Sequence, residues 1–329
     1  MARQFGPIPD LDAWRDRALE EIDGRQVVCS ISGGKDSTAM ALLLREVDIP
    51  FISVHLDTGW EHPATDRYVR EYLPTIIGHI SITRREKGGM ADLVRQQAGF
   101  PGGNQRFCTR ELKIIPMRNF MRTLDEEPIN TIGIRSGESR RRAEMPEWDY
   151  SDTMKCAVWR PIKPFTEKDV YQMHKRHNVD MNPLYGAGAA RVGCWPCVFS
   201  RKSEIRRMAD IDPGRIDIIR NLEQEVSKMR DKRNENRGRE SGCPPTWFAH
   251  KMASWTIDEV VAWACSDLGS TQWRNEFEQT DEALDVKARI AQFQPELFTA
   301  PAHERGCMRW GLCETSSDED EAEDPINQI

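Results

Sequence analysis

At 329 residues and 37.8 kDa, the chain has room for one large domain, or one domain with an appendage. Its make-up (39% hydrophobic, 30% charged, 22 Gly, 19 Pro) excludes collagen-like, coiled-coil and wholly disordered proteins. No apolar run approaches the roughly 20 residues that cross a bilayer, and Met1 to Asp10 lacks the basic flank and apolar core of a secretory signal, so a soluble, cytoplasmic protein is expected. The net charge of -7 is concentrated in Glu314 to Asp324, which carries seven acidic residues and no basic one. Residues 314–329 therefore read as a solvated, disordered acidic tail, with a docking or nucleic-acid-mimicking segment as the alternative.

In chain order, Gln26 to Ile31 is a short β-branched strand candidate, followed by Thr38 to Glu46 with helical apolar spacing. Phe51 to Leu56 is a second strand, Pro63 to Leu73 a helix, and His79 to Thr83 a third strand. Helical segments at Met90 to Gln97 and Glu111 to Leu124 precede a strand at Asn130 to Arg135. This alternation predicts an α/β fold, a Rossmann-like doubly wound parallel sheet with right-handed crossovers. Thr166 to His177 reads as a helix with Thr166 as N-cap and Asp169 completing the capping box. Asn182 to Pro196 is a Gly-rich loop. Arg201 to Arg239 is helical, with twelve Lys/Arg against eight Asp/Glu, and suits either a solvated hairpin or a nucleic-acid-facing surface. The expected division is a nucleotide-binding domain at 1–200, a mainly helical, cysteine-bearing region at 201–313, and the tail.

The strongest local signal is Ser32-Gly33-Gly34-Lys35-Asp36-Ser37, between the first strand and its helix. Glycines allow a tight turn that points N–H groups at an anion, and the helix N-terminus adds its positive end. Lys35 can neutralise phosphate charge, and Asp36 can position a metal ion or hold the loop. Cys29 stands where a Walker A loop has its first Gly, and Asp36 follows the Lys in place of Ser or Thr, so this is not that motif. An ordinary glycine turn is the bland alternative. Arg135 and Arg140 follow a strand candidate, where open α/β sheets bind ligands, and are the candidates for a phosphate or sulfate. Arg141 and Arg142 read as surface charges.

The loop resembles that of the PP-loop ATP pyrophosphatase superfamily, and the resemblance continues. Asp57-Thr58-Gly59-Trp60-Glu61-His62-Pro63 is similar to the family's Asp-Thr-Gly segment near the nucleotide. Cys108-Thr109-Arg110-Glu111-Leu112-Lys113 resembles a segment of phosphoadenylyl-sulfate reductases and of the sulfur-handling subunit of DNA phosphorothioation systems. Gly133 to Arg142 looks like the arginine-bearing strand end, and Asn182-Pro183-Leu184-Tyr185 with Gly193-Cys194-Trp195-Pro196-Cys197 resembles the same group's last two motifs. The match spans about Gln26 to Ser200. It implies an adenine nucleotide, ATP or adenylyl sulfate, with Mg²⁺, at Ser32, Gly33, Gly34, Lys35, Asp36, Ser37 and Asp57. Lys35, Asp36, Cys108, Arg135 and Arg140 are the catalytic candidates. It also implies nucleic acid as one possible acceptor, and a sulfur donor or reductant protein as a partner. The late Glu-Cys-Gly-Leu-His segment of the reductases has here only Trp310-Gly311-Leu312-Cys313-Glu314, with Cys and Gly-Leu reversed, whereas the intact loop resembles members that cleave ATP.

Nine cysteines are an odd count and fit metal ligands or reactive thiols better than a disulfide framework. Cys194 and Cys197 form a Cys-x2-Cys pair on a Gly/Pro loop, and Cys307 with Cys313 a wider one. Together they suit a [4Fe–4S] cluster, or alternatively zinc, with Cys108 as a competing ligand and a site without metal still open. Cys29 and Cys265 read as buried core; Cys156 and Cys243 are undetermined. Lys113 can meet an anion or tune the Cys108 thiol. Three functions follow: an ATP-cleaving sulfurtransferase-like enzyme, an adenylyl-sulfate reductase releasing sulfite, or a non-catalytic nucleotide-binding component of an assembly.

Overall fold

The computed structural model describes residues 4–102, 105–124, 127–239, 245–248 and 255–266. The chain begins with α1 (Leu11–Ile22), β1 (Val27–Ser30), α2 (Lys35–Glu46), β2 (Ile52–Asp57), α3 (Pro63–Arg67), α4 (Leu73–Ile77) and β3 (Ile80–Arg84). It continues through α5 (Met90–Gln97), α6 (Phe107–Thr109), α7 (Ile115–Met121), β4 (Ile129–Thr131), α8 (Arg140–Glu144), β5 (Trp148–Ser151) and β6 (Cys156–Trp159). The helices α9 (Glu167–Arg176), α10 (Pro183–Gly186), α11 (Lys202–Ile211), α12 (Pro213–Glu235) and α13 (Ile257–Cys265) follow. Two compact units emerge, one built from Met1–Gly89 and Thr109–Trp195, the other from Met90–Cys108 and Pro196–Asp324, each as far as it is described.

The first unit holds a six-stranded sheet in the order β3-β2-β1-β4-β6-β5. All pairs are parallel except β5 with β6, which confirms the doubly wound α/β expectation. In the sheet's centre Cys29 lies opposite Ser53 of β2 and Thr131 of β4. The strand order changes direction at β1, the place where such sheets open a crevice beyond their carboxyl ends. Every residue of α2 from Ala39 to Leu44 is fully buried, so this helix belongs to the interior and not to a surface.

Two elements lacked a reading from sequence. The first, α1, starts at Asp10, whose carboxylate accepts from the N–H groups of Asp12 and Ala13, and it buries Leu11, Trp14, Ala18 and Ile22 on one face. The second is the β5–β6 pair at the sheet edge, where Trp148 stacks on Trp159 with centroids 4.8 Å apart. Such a cross-strand aromatic pair secures an edge strand that has polar neighbours. One π-helical turn, Tyr68–Tyr72, joins α3 to α4, and another, Arg110–Ile114, leads into α7.

In the second unit, α12 packs against α5, α11 and α13. The core comes from Leu93 and Val94 of α5, Ile205 and Met208 of α11, Ile219, Leu222 and Val226 of α12, and Ile257, Val260 and Trp263 of α13. The charged stretch 201–239 is thus two helices, broken where Asp212 caps one and Pro213 opens the next. Glu223, buried on α12, accepts from the Trp247 N–H at 2.8 Å and the Ile257 N–H at 3.1 Å. Burial pushes its carboxyl up to about 7, against the pull of those two donors. Cys265 is exposed at the end of α13, which corrects the expectation of a buried thiol. The apolar run before it buries Val260, Trp263 and Ala264, and the helical turn carries Cys265 away from that face.

Candidate active site

The loop after β1 is fixed by contacts from far along the chain. Gly33 sits at φ +76°, and a Cβ there would lie 2.8 Å from a Val69 methyl and 3.0 Å from a Thr65 methyl. Both the backbone conformation and the space thus require glycine. The buried Asn182 amide donates to the Gly33 carbonyl and to the Thr65 hydroxyl, each at 3.1 Å, and its oxygen accepts from Leu184 N–H. The Ser37 hydroxyl donates to the Gly34 carbonyl at 3.0 Å and accepts from the Ser32 N–H at 3.1 Å. Thr38 donates to the same Gly34 carbonyl.

Helix α2 therefore begins at Lys35, three residues before the expected Thr38. The Tyr185 hydroxyl accepts from the Lys35 N–H at 3.0 Å, and His174 Nε2 donates to the Lys35 carbonyl at 2.9 Å. Burial pushes the Tyr185 phenol up to about 12 and lowers the His174 pKa, so at neutral pH both are uncharged and His174 carries its proton on Nε2. Among the described residues, the N–H groups of Asp36 and Ser37 have no protein acceptor, as the first turn of a helix leaves them, and neither does that of Gly33 just before the N-cap Gly34.

The charges at this helix head are interlocked. Lys35, 6% exposed, places Nζ 3.3 Å from Glu167 and 3.7 Å from Asp36, with the Tyr185 ring centroid 5.2 Å away. Arg135 Nε donates to the other oxygen of Asp36, and the Arg135 N–H donates to Glu138 at 2.8 Å. Asp36 thus faces two cations, which tie it into the loop. Arg135 reaches it because the chain just past β4 runs close against the head of α2, where a Cβ at Gly133 would lie 3.0 Å from Ser37 N.

Asp57 closes β2, accepting from Gly59 N–H at 2.8 Å and from Arg70 at 2.8 Å. The next residues hold the Cys194 segment. Glu61 accepts from the hydroxyl and N–H of Thr58, forms an isolated antiparallel bridge with Cys194, and the Trp195 N–H donates to the Trp60 carbonyl at 2.8 Å. Cys194 Sγ lies 4.0 Å from Thr58 Oγ1.

Of the residues expected from sequence, Ser32, Gly33, Gly34, Lys35, Asp36, Ser37 and Arg135 come together at one helix head. Arg140 does not join them: its side chain is 78% exposed and pairs with Glu144 at 3.5 Å. Cys194 belongs to the first unit, and Cys197 and Cys108 to the second; all three are half-buried, and none is in a disulfide. Among the described residues, no group of three or more His, Cys, Asp or Glu side chains is placed to hold a metal ion. Cys307, Cys313 and Cys243, like the acidic tail, lie outside the described residues. Burial pushes the Cys29 thiol up to about 12 and Cys156 up to about 11, which makes both inert. Asn182, Tyr185, His174 and Glu167 are the loop's supports that reading the sequence missed; the first two stood in a quoted motif without a role.

A parallel sheet with a glycine loop and an open helix N-terminus at its switch point defines an α/β protein built to receive a phosphate-like anion. Residues 26–199 match the phosphoadenosine phosphosulfate reductase domain. An uncharacterized 37.8 kDa protein of Escherichia phage 186 is 32% identical over 302 residues, covering 75% of this chain and 90% of that one. The adenosine 5'-phosphosulfate reductase of Allochromatium vinosum is 27% identical over 192 residues, covering 55% of this chain and 70% of that enzyme. A phosphoadenylyl-sulfate reductase structure from Candida auris aligns over 59% of this chain and 98% of its own, at 13% identity and a TM-score of 0.43. The chain belongs to the phosphoadenosine phosphosulfate reductase family of the PP-loop superfamily. Among the described residues no helix is long and apolar enough to cross a membrane.

Proposed function

We propose that this chain is an adenine-nucleotide-dependent sulfur enzyme that cleaves ATP between its α- and β-phosphates, in the manner of an adenylating sulfurtransferase. The observation that carries this reading is the head of α2. Among the described residues, the N–H groups of Gly33, Asp36 and Ser37 have no acceptor, and Lys35 and Arg135 are buried beside them. Buried cations and fixed N–H dipoles stabilise charge that develops on a leaving pyrophosphate without having to reorganise.

In this reading an acceptor oxygen attacks the α-phosphorus and the bond to the bridging oxygen breaks. Pyrophosphate leaves with that electron pair, and the acceptor carries AMP. A sulfide-class nucleophile then attacks the acceptor atom that bears AMP, and AMP leaves with the electron pair of that bond. Mg²⁺ bound to the phosphate chain would supply further positive charge. The thiols of Cys194 and Cys197 are donors of the type that holds an iron–sulfur cluster, for which Cys307 and Cys313 would be the further ligands; such a cluster would carry electrons or sulfur. The reductase reading is kept because the relatives include adenosine 5'-phosphosulfate and phosphoadenosine 5'-phosphosulfate reductases.

The test uses anaerobically purified full-length protein with Mg²⁺ and compares binding of ATP and 3′-phosphoadenylyl sulfate. Tighter binding of ATP, with AMP and pyrophosphate formed when acceptor and sulfide are added and lost in Lys35→Ala, supports adenylation. Preference for the sulfated nucleotide, with sulfite released and no ATP cleavage, replaces it by the reductase.

A further inference from the structure

The second unit contains a cleft of about 370 Å³ between the segment following α5 and the carboxyl-terminal half of α12. Arg230, Arg233 and Arg237 line one wall. Arg230 and Arg233, three residues apart, stand on one face of α12, and Arg237 follows in the turn just past its end at Glu235. None of the three guanidinium groups pairs with a carboxylate among the described residues, and no Asp or Glu lines the cleft. This contrasts with Arg95 and Arg220 of the same unit, each held by acidic partners.

The opposite wall carries two rings, Phe100 and Phe107. Both are half-buried, and Phe100 is braced edge-on by the buried Trp247 at 5.5 Å, which makes it a rigid platform. Thr246 also lines the cleft. It is 1% exposed, and its hydroxyl has no hydrogen-bond partner among the described residues. A buried hydroxyl without a partner costs about 1–3 kcal/mol, so an unsatisfied one beside three unpaired arginines points to a polar ligand.

We infer that this cleft binds a single strand of nucleic acid, with the arginine row on successive phosphates and a base against the phenylalanine wall. Three guanidinium groups in one cleft that no carboxylate lines favour a polyanion over a single phosphate. The aromatic wall favours exposed bases over a duplex, whose bases are stacked inside. The inference does not rest on the nucleotide reading of the first unit, and its test does not use turnover.

The experiment is fluorescence anisotropy of a labelled oligodeoxythymidylate titrated with the full-length protein over a range of salt. The expected result is binding in which the triple change Arg230→Ala, Arg233→Ala, Arg237→Ala flattens the salt dependence by about 2 log units per log unit of salt. Phe107→Leu weakens binding by about tenfold. Lys232→Ala, on the same helix but outside the cleft, leaves it unchanged, and circular dichroism confirms that every variant is folded. Three outcomes overturn the inference: no binding at low salt, binding insensitive to the triple change in folded protein, or duplex DNA or inorganic polyphosphate competing as well per phosphate as the single strand.

Discussion

One amide at Asn182 satisfies the Gly33 carbonyl, the Thr65 hydroxyl and the Leu184 N–H at once. Asn182→Ala therefore leaves a buried carbonyl and N–H unmatched, and chemical denaturation should show a loss of about 1–3 kcal/mol. Nucleotide affinity should fall with it, because the Gly33 carbonyl would no longer hold the loop in its left-handed turn. Tyr185→Phe is the more selective change. It removes only the acceptor of the Lys35 N–H, so calorimetry should show a smaller stability loss, about 1 kcal/mol, while the loop's geometry survives.

At the scale of elements, Glu223 links three pieces of the second unit: its own helix, the turn at Trp247 and the start of α13 at Ile257. Its folded pKa lies near 7, above the ordinary carboxylate value of 4.5, so the folded unit takes up a proton before the unfolded chain does. The resulting stabilisation is full below pH 4.5 and is lost as the pH rises through 7. Its size is on the order of 3 kcal/mol. Denaturant midpoints across this range should drift in the wild type, and the drift should be smaller in Glu223→Gln. Elements whose signals are local were legible in the sequence. The β-branched runs at Val27–Ser30 and Ile52–Asp57 and the Thr166–Asp169 capping box sit where expected. The edge hairpin was not legible, since Trp148–Ser151 shows two exposed residues in four and derives its order from stacking on a strand it has yet to meet.

For the whole molecule, the contributions of His174 and Glu223 to the two units run in opposite directions with acid. His174 in the first unit is held neutral by burial, below its ordinary value of 6.5. The unfolded chain binds that proton first, so this stabilisation is present above pH 6.5 and is lost as the pH falls. Hydrogen exchange at pH 7 and pH 5 should show α2 and α9 losing protection while α12 and α13 gain it, and His174→Asn should abolish the first change. The site was only partly legible for a related reason. Ser32 to Ser37 and Arg135 announce themselves by local chemistry, whereas Asn182 and Tyr185 act on residues 149 and 150 positions away, and no spacing rule connects them.

The close approach of Gly133 to the start of α2 also sets how much variation the chain can accept there. A side chain at 133 would meet the backbone of Asp36 and Ser37 at 3.0–3.1 Å, while one at Gly137, four residues on, would meet nothing within 4 Å. In a saturation library selected for folded protein, position 133 should return glycine alone and position 137 a broad set of residues. The same amino acid is thus a fixed point of the fold at one position and an interchangeable one four residues later.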